Sequence, residues 1–287
     1  MRNKELISNV SSISCVENYF LGWCGEQGIG AGILFNRTYL PPIKILTDFI
    51  FGGARFESYG EIPRVMAVAE SYGAVTHSAA TELDFDGIDA AMAAGSLALT
   101  EVNAGFFKGI ALKPWRSDHY IWLAEPVRGG YGYLNNYPLS KGSMGKGKLA
   151  EVYGGKTLIY ARSKTDCVNA AAAIADREKQ FCQIARAEHR GFPLPDGADP
   201  TALRDAVGVW KITRRRLADW FRAALGDGCE QARLVESLCA ELNGFYVWLG
   251  ASVLRKRFDA GQAQTKLNGI LGKEKELSQI VKGGARL

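Results

Sequence analysis

The chain reads as an α+β protein: an antiparallel sheet with its helices over residues 1–160, followed by a C-terminal helical bundle over 161–287. Three observations lead there. A helix-start signal at Ser14 opens the first part. Short apolar, β-branched and aromatic segments separated by glycine turns fill residues 96–135. Strand signals then vanish beyond about residue 162, and helical spacing takes over in 164–189, 200–225, 229–258 and about 262–283. Gly191 to Pro200, Gly226-Asp227-Gly228 and Asp259-Ala260-Gly261 separate these four helices.

The individual elements follow from local chemistry. Ser14 and Glu17 have the Ser-x-x-Glu spacing of a capping box, and Val16, Tyr19, Phe20 and Trp23 recur at i, i+3, i+4 and i+7. This predicts a buried helix starting at Cys15 and ending near Gly22 or Gly25. The Gly25 to Gly32 stretch has the look of a nucleotide-binding loop, but a helix precedes it and no βαβ unit follows. Close backbone packing is the better use of those glycines. Pro41-Pro42 breaks the chain, and residues 43–51 read equally as a short helix or a strand. Residues 61–72 form a helix stopped by Gly73, and Ala74-Val75-Thr76 begins a strand. Asp86 to Gly95 is a short helix, Ser96 to Val102 a strand. His119 to Glu125 and Tyr131 to Asn135 pair as a hairpin around Gly129-Gly130. Residues 139–148, rich in Gly, Lys and Ser, read as a loop.

Composition narrows the function classes. A chain of 287 residues, 47% hydrophobic and 23% charged, is ordinary for a globular protein. It shows no signal segment and no apolar run of bilayer length, so a cytoplasmic protein without membrane partner is expected. The cysteines at 15, 24, 167, 182, 229 and 239 form no CxxC pair, which argues against a zinc knuckle or redox dithiol. No metal and no cofactor is expected. Charge is uneven: residues 1–150 hold 13 Lys+Arg against 14 Asp+Glu, residues 151–287 hold 22 against 16. Arg214-Arg215-Arg216 and Arg255-Lys256-Arg257 are either solvated helix faces or a surface for an acidic partner. No motif or aromatic platform for nucleic acid accompanies them.

If Ser14 is the N-cap, Cys15 meets the positive end of the helix dipole and unpaired backbone N–H groups, both of which favour thiolate. The bland alternative is a small core thiol. A thiolate nucleophile needs a base and a group to orient that base. The chain has three histidines. His77 follows a strand in a polar turn, and His189 ends a basic helix, where a cation suits the dipole. His119 opens a strand, and Asn135, sixteen residues on, comes back level with it across the hairpin. Asn136 and Asp118 are competitors for the third role. Cys24, near the end of the first helix, gains nothing from the dipole and is better read as core.

This order of residues resembles that of papain-like cysteine enzymes. The closer resemblance is to the small bacterial branch that holds the bacteriocin-leader peptidases and the N-terminal domain of the butirosin-biosynthesis acyltransferase. It is carried by Cys15-Val16-Glu17-Asn18-Tyr19-Phe20, Gly22 to Gly32, Ala94-Gly95-Ser96-Leu97-Ala98-Leu99, Asp118-His119-Tyr120-Ile121-Trp122-Leu123 and Leu134-Asn135-Asn136-Tyr137-Pro138, over residues 9–140. Asn135 stands where the leader peptidases have an Asp, and Asn9 where they have an oxyanion-hole Gln. The helical half is similar to the acyltransferase's partner domain in outline. The resemblance implies a papain-like fold, a catalytic set of Cys15, His119 and Asn135, and an oxyanion contact from Asn9. It further implies a cysteine acyltransferase of specialised metabolism. Such an enzyme moves an acyl group from an acyl-carrier-protein thioester to a small amine, with the basic half docking the acidic carrier. A peptidase or amidase, and an inactive binding module on the same fold, are the alternatives.

Overall fold

The computed structural model describes residues 14–103, 119–136, 139–163, 169–188 and 190–284. It divides into two compact units, Met1–Ile29 with Val65–Ala170 and Gly30–Arg64 with Ala171–Leu287. This differs from a single boundary at 160/161. Residues 30–64 group with the C-terminal helices, because side-chain bonds hold them there: Trp220 Nε1 donates to Asn36 Oδ1 at 2.7 Å, and the backbone N–H of Thr38 donates to Gln180 Oε1 at 2.7 Å.

The first unit is built on a six-stranded antiparallel sheet. Its strands are β1 (Val75–Ala80), β2 (Leu97–Val102), β3 (His119–Val127), β4 (Gly130–Asn136), β5 (Leu139–Gly145) and β6 (Tyr153–Arg162), in the order β1-β6-β2-β3-β4-β5. Helix α1 (Cys15–Gln27) lies on one face, where Tyr19 meets Trp122 and Phe20 meets Tyr160 edge-on. Ile88 of α5 (Phe85–Ala93) packs on the other face with Ala98, Val102, Ile121 and Leu123. Strands covered on both faces need apolar side chains in both directions, which is why 97–99 and 119–123 read as continuous rather than alternating runs. The unit also holds α4 (Val65–Ser71) and α6 (Lys146–Val152).

Local signals account for α1. Ser14 is its N-cap, with Oγ accepting from the Glu17 N–H at 3.2 Å. The buried Glu17 carboxylate accepts from the backbone N–H of Val65 at 3.1 Å, so the acidic residue of the box also ties α1 to the start of α4. The helix does not stop at Gly22 or Gly25. An interior glycine costs about 1 kcal/mol, and burial of Leu21, Trp23 and Cys24 outweighs it. The stop is Gly28, at φ +71°.

Two strands depart from the expectation. Residues 139–145, read as loop, form β5 along β4, from Asn136↔Leu139 to Gly130↔Gly145. Strand β6, not among the strands assigned from the sequence, runs between β1 and β2.

The second unit is helical: α2 (Ala31–Leu34), α3 (Pro42–Ile50), a 3₁₀ turn (Phe56–Ser58), α7 (Ala170–Ala185), α8 (Pro200–Leu225), α9 (Glu230–Leu254) and α10 (Ala260–Gly284). The undecided segment 43–51 is thus helix, started by Pro42 at its first turn. Trp210, Trp220, Phe221, Leu238, Phe245 and Leu267 are among the side chains that fill its core. Among the described residues no helix is long and apolar enough to cross a membrane.

The Arg214-Arg215-Arg216 run is not a solvated face. Arg214 and Arg216 are fully buried. Arg214 Nε donates to Glu274 at 2.5 Å and its Nη2 to the Leu40 carbonyl at 3.0 Å, with the guanidinium over the Tyr39 ring; Arg216 Nη1 donates to the Pro63 carbonyl at 3.1 Å. Consecutive helical positions point about 100° apart, so three arginines in a row cannot share a face. Arg255, Lys256 and Arg257 are exposed.

Candidate active site

The β3–β4 hairpin places the first pair of polar side chains. Gly129 takes φ +75° in the turn, and a Cβ on Gly130 would run into the Met144 carbonyl of β5. Gly129 is therefore required by its left-handed backbone, and Gly130 by the close approach of β5. The pairing Trp122↔Leu134, continued one step, sets Asn135 opposite Ile121, two residues from His119 on the same side. The two side chains meet: His119 Nε2 lies 2.7 Å from Asn135 Oδ1. Both are buried. An amide oxygen only accepts, so Nε2 carries the hydrogen, and Nδ1 is the nitrogen that can take up a proton. Asn135 Nδ2 in turn donates to Ser140 Oγ at 3.5 Å.

Helix α1 places the thiol. Cys15, Asn18 and Tyr19 stand at i, i+3 and i+4, one face of the helix. The Tyr19 hydroxyl donates to the Tyr120 carbonyl at 3.1 Å and accepts from the Asn136 N–H at 2.7 Å. Asn18 Nδ2 donates to Asn136 Oδ1 at 2.8 Å. At the other end Trp23 Nε1 donates to the Gly95 carbonyl at 2.9 Å. Helix α1 therefore runs parallel to β3 and begins at the same end of the sheet. Cys15 is the first residue of α1, His119 the first of β3, and Asn135 next to last in β4. Burial pushes the Tyr19 hydroxyl far above an ordinary phenol. The charge of an ionised Cys15 pushes the same way, and the Asn136 N–H pulls against both. Cys15 is partly exposed, unlike Cys24, whose thiol is fully buried and raised by that burial.

The other candidates are placed as follows. Asn136 turns its amide to Asn18, leaving Asn135 as the asparagine on His119. His77 lies within β1, not in a turn beyond it; its Nδ1 pairs with Glu70 Oε1 at 2.7 Å and its ring stacks on Tyr160. Asn9, Asp118 and His189 lie outside the described residues. Among the described residues no group of three His, Cys, Asp or Glu side chains could hold a metal ion.

No family model matches the chain, and no curated protein matches it in sequence.

Sequence reasoning missed three residues that hydrogen-bond around these side chains: Asn18, Tyr19 and Ser140. Tyr19 was legible only as part of an apolar stripe. The available signal was its spacing, since a phenol and an amide at i+4 and i+3 from a helix-opening thiol share its face.

Proposed function

We propose that the chain is a cysteine-dependent acyltransferase that forms an amide, with a papain-like arrangement of Cys15, His119 and Asn135. The observation that carries this reading is the 2.7 Å bond between His119 Nε2 and Asn135 Oδ1, at the sheet end where α1 begins with Cys15. The resemblance of residues 9–140 to the butirosin-biosynthesis acyltransferase domain supports transfer over hydrolysis.

The Cys15 thiolate attacks the carbonyl of a carrier-bound thioester. The carbonyl–sulfur bond of the donor breaks, protonated His119 gives its Nδ1 proton to the departing sulfur so that the carrier leaves as its thiol, and the acyl group rests on Cys15. His119 Nδ1 then takes the proton of an incoming amine as the C–N bond forms and the Cys15 thiolate departs. Asn135 keeps the ring in one tautomer and orientation throughout, the role of the orienting group in a nucleophile–base pair. Backbone N–H groups at the start of α1 stabilise the oxyanion, with Asn9 as the side-chain candidate. Thioester aminolysis is downhill and needs no nucleotide. The exposed Arg255-Lys256-Arg257 cluster, rather than the buried Arg214 and Arg216, is the basic surface offered to an acidic carrier.

Intact-protein mass spectrometry after incubation with acyl-carrier thioesters tests the reading. An acyl adduct on Cys15, absent in C15A and discharged by amines faster than by water, is expected. Discharge by water alone makes the enzyme a hydrolase. No adduct with any thioester donor overturns both.

A further inference from the structure

The second unit carries a cationic cluster that the acyl-transfer reading does not use. Arg204, Lys211 and Arg215 stand seven and four residues apart on α8, a spacing that keeps them on one side of the helix. That side faces α9. The Arg204 guanidinium lies 4.8 Å from the Tyr246 ring centroid, with Nη2 donating to the Tyr246 hydroxyl at 3.1 Å. Lys211 Nζ lies 4.4 Å from the same centroid and 3.4 Å from Asn243 Oδ1. Arg215 follows Lys211 by one turn. All three are half-buried.

Their neutralisation is missing. Arg37, Arg214, Arg222 and Lys273 each have a carboxylate in ion-pair contact. Among the described residues no carboxylate lies within that distance of Arg204, Lys211 or Arg215. Arg204 Nε and Arg215 Nε are both buried without a hydrogen-bond acceptor from the protein. A buried donor left unpaired costs about 1–3 kcal/mol, and more when charged. Burial holds the Lys211 ammonium below the ordinary lysine range, and repulsion from Arg215 and Arg204 adds to it. Three like charges on one stretch of helix, with no carboxylate in ion-pair contact, are answered by an anion that settles against them.

We propose that Arg204, Lys211 and Arg215 form a binding site for a phosphate group, borne by a small molecule or free. A tetrahedral phosphate presents oxygens to a guanidinium edge two at a time and takes the lysine as a point charge. Its two negative charges answer three positive ones better than a carboxylate does. Half-burial between α8 and α9 favours a small ligand over a flat protein surface. The site is independent of Cys15 and stands if the acyl-transfer reading falls.

The test uses the whole protein at constant ionic strength, titrated with inorganic phosphate, with acetate and chloride as arms, followed by melting temperature and calorimetry. Phosphate is expected to raise the melting temperature saturably where acetate and chloride do not. K211M is expected to weaken phosphate at least about tenfold, and K211R to retain most of it. If K211M does not fold, R215Q replaces it, with R215K as its charge-retaining counterpart. Responses to both inorganic phosphate and glycerol phosphate no larger than that to acetate, or the same response in the wild type and K211M or R215Q, overturn the proposal. A wild-type response with free phosphate identifies phosphate itself as sufficient. A response only with a phosphate monoester such as glycerol phosphate assigns the site to a phosphorylated small molecule.

Discussion

Tyr19 and Asn136 meet at the point where the first helix joins the sheet: the tyrosine hydroxyl accepts from the Asn136 N–H at 2.7 Å and donates to the Tyr120 carbonyl at 3.1 Å. Those two backbone groups directly adjoin Asn135 and His119. One phenol thus sets the distance between the start of α1 and the imidazole pair, although it belongs to neither.

Replacing it separates position from chemistry. Y19F leaves a buried carbonyl and a half-buried N–H without their partner, a cost of about 1–3 kcal/mol, or roughly 2–12 °C in melting temperature at this chain length. Circular dichroism should show the fold retained. In the acyl-transfer assay kcat is expected to fall while KM stays near wild type, because the thiol loses alignment rather than the substrate its contacts. An unchanged kcat would show that Tyr19 has no part in alignment.

The imidazole pair makes a graded prediction. H119A should lower kcat by about 10²–10⁴, the usual range for a general base. N135A should cost less than H119A, and the double variant no more than H119A alone, since Asn135 acts only through the ring it holds. Additive losses would assign Asn135 a separate role.

Thiol reactivity distinguishes the two cysteines of α1. Iodoacetamide at neutral pH, read by peptide mapping, should label Cys15 faster than the exposed Cys182 and leave Cys24 unlabelled in the folded protein. Burial accounts for Cys24, whose thiolate is disfavoured as well as inaccessible. H119A should slow labelling at Cys15 and leave Cys182 unchanged. Equal rates at Cys15 and Cys182 would remove the case for an activated nucleophile.

Acid should loosen the first unit through Asp89. The hydrogen bond from Lys146 Nζ, then that from the Tyr131 hydroxyl, hold its carboxyl below the usual aspartate range. A folded value below the unfolded one, near 3.9, stabilises the fold at all pH above that value. The contribution is lost as pH falls through the folded value. Urea unfolding between pH 5 and 2 should therefore show a steeper loss for the wild type than for D89N. Parallel curves would mean the bonds to Asp89 carry no net stability.

The buried arginine offers the largest stability effect. R214M leaves the Glu274 carboxylate buried without its guanidinium, and a broken buried pair costs about 3–5 kcal/mol. Substituting alanine for the exposed Arg255, Lys256 and Arg257 together should move stability by about 0.5 kcal/mol per residue or less. Comparable losses in the two variants, measured by chemical denaturation, would contradict the burial difference between them.

Sequence alone determined the elements whose causes are local. Ser14 caps its own helix, Gly129-Gly130 turns its own hairpin, and the apolar periods of 200–225, 229–258 and 262–283 lie within one helix each, so α1, β3–β4 and α8–α10 were legible. The positions of Cys15, His119 and Asn135 were legible for the same reason: each sits at or next to the end of such an element. Tertiary structure decided whatever depends on a distant partner. Strand β5 has one buried residue in seven and exists because β4 offers it a ladder; β6 is held by β1 and β2, more than fifty residues upstream. Arg214 and Arg216 looked like surface until Glu274 and the Leu40 and Pro63 carbonyls supplied the acceptors that make buried guanidinium groups tolerable. That Asn135 and not Asn136 touches His119 follows from strand parity. Adjacent strand residues point to opposite faces, so one asparagine reaches the histidine while its neighbour turns to α1, and only the pairing of β3 with β4 says which is which.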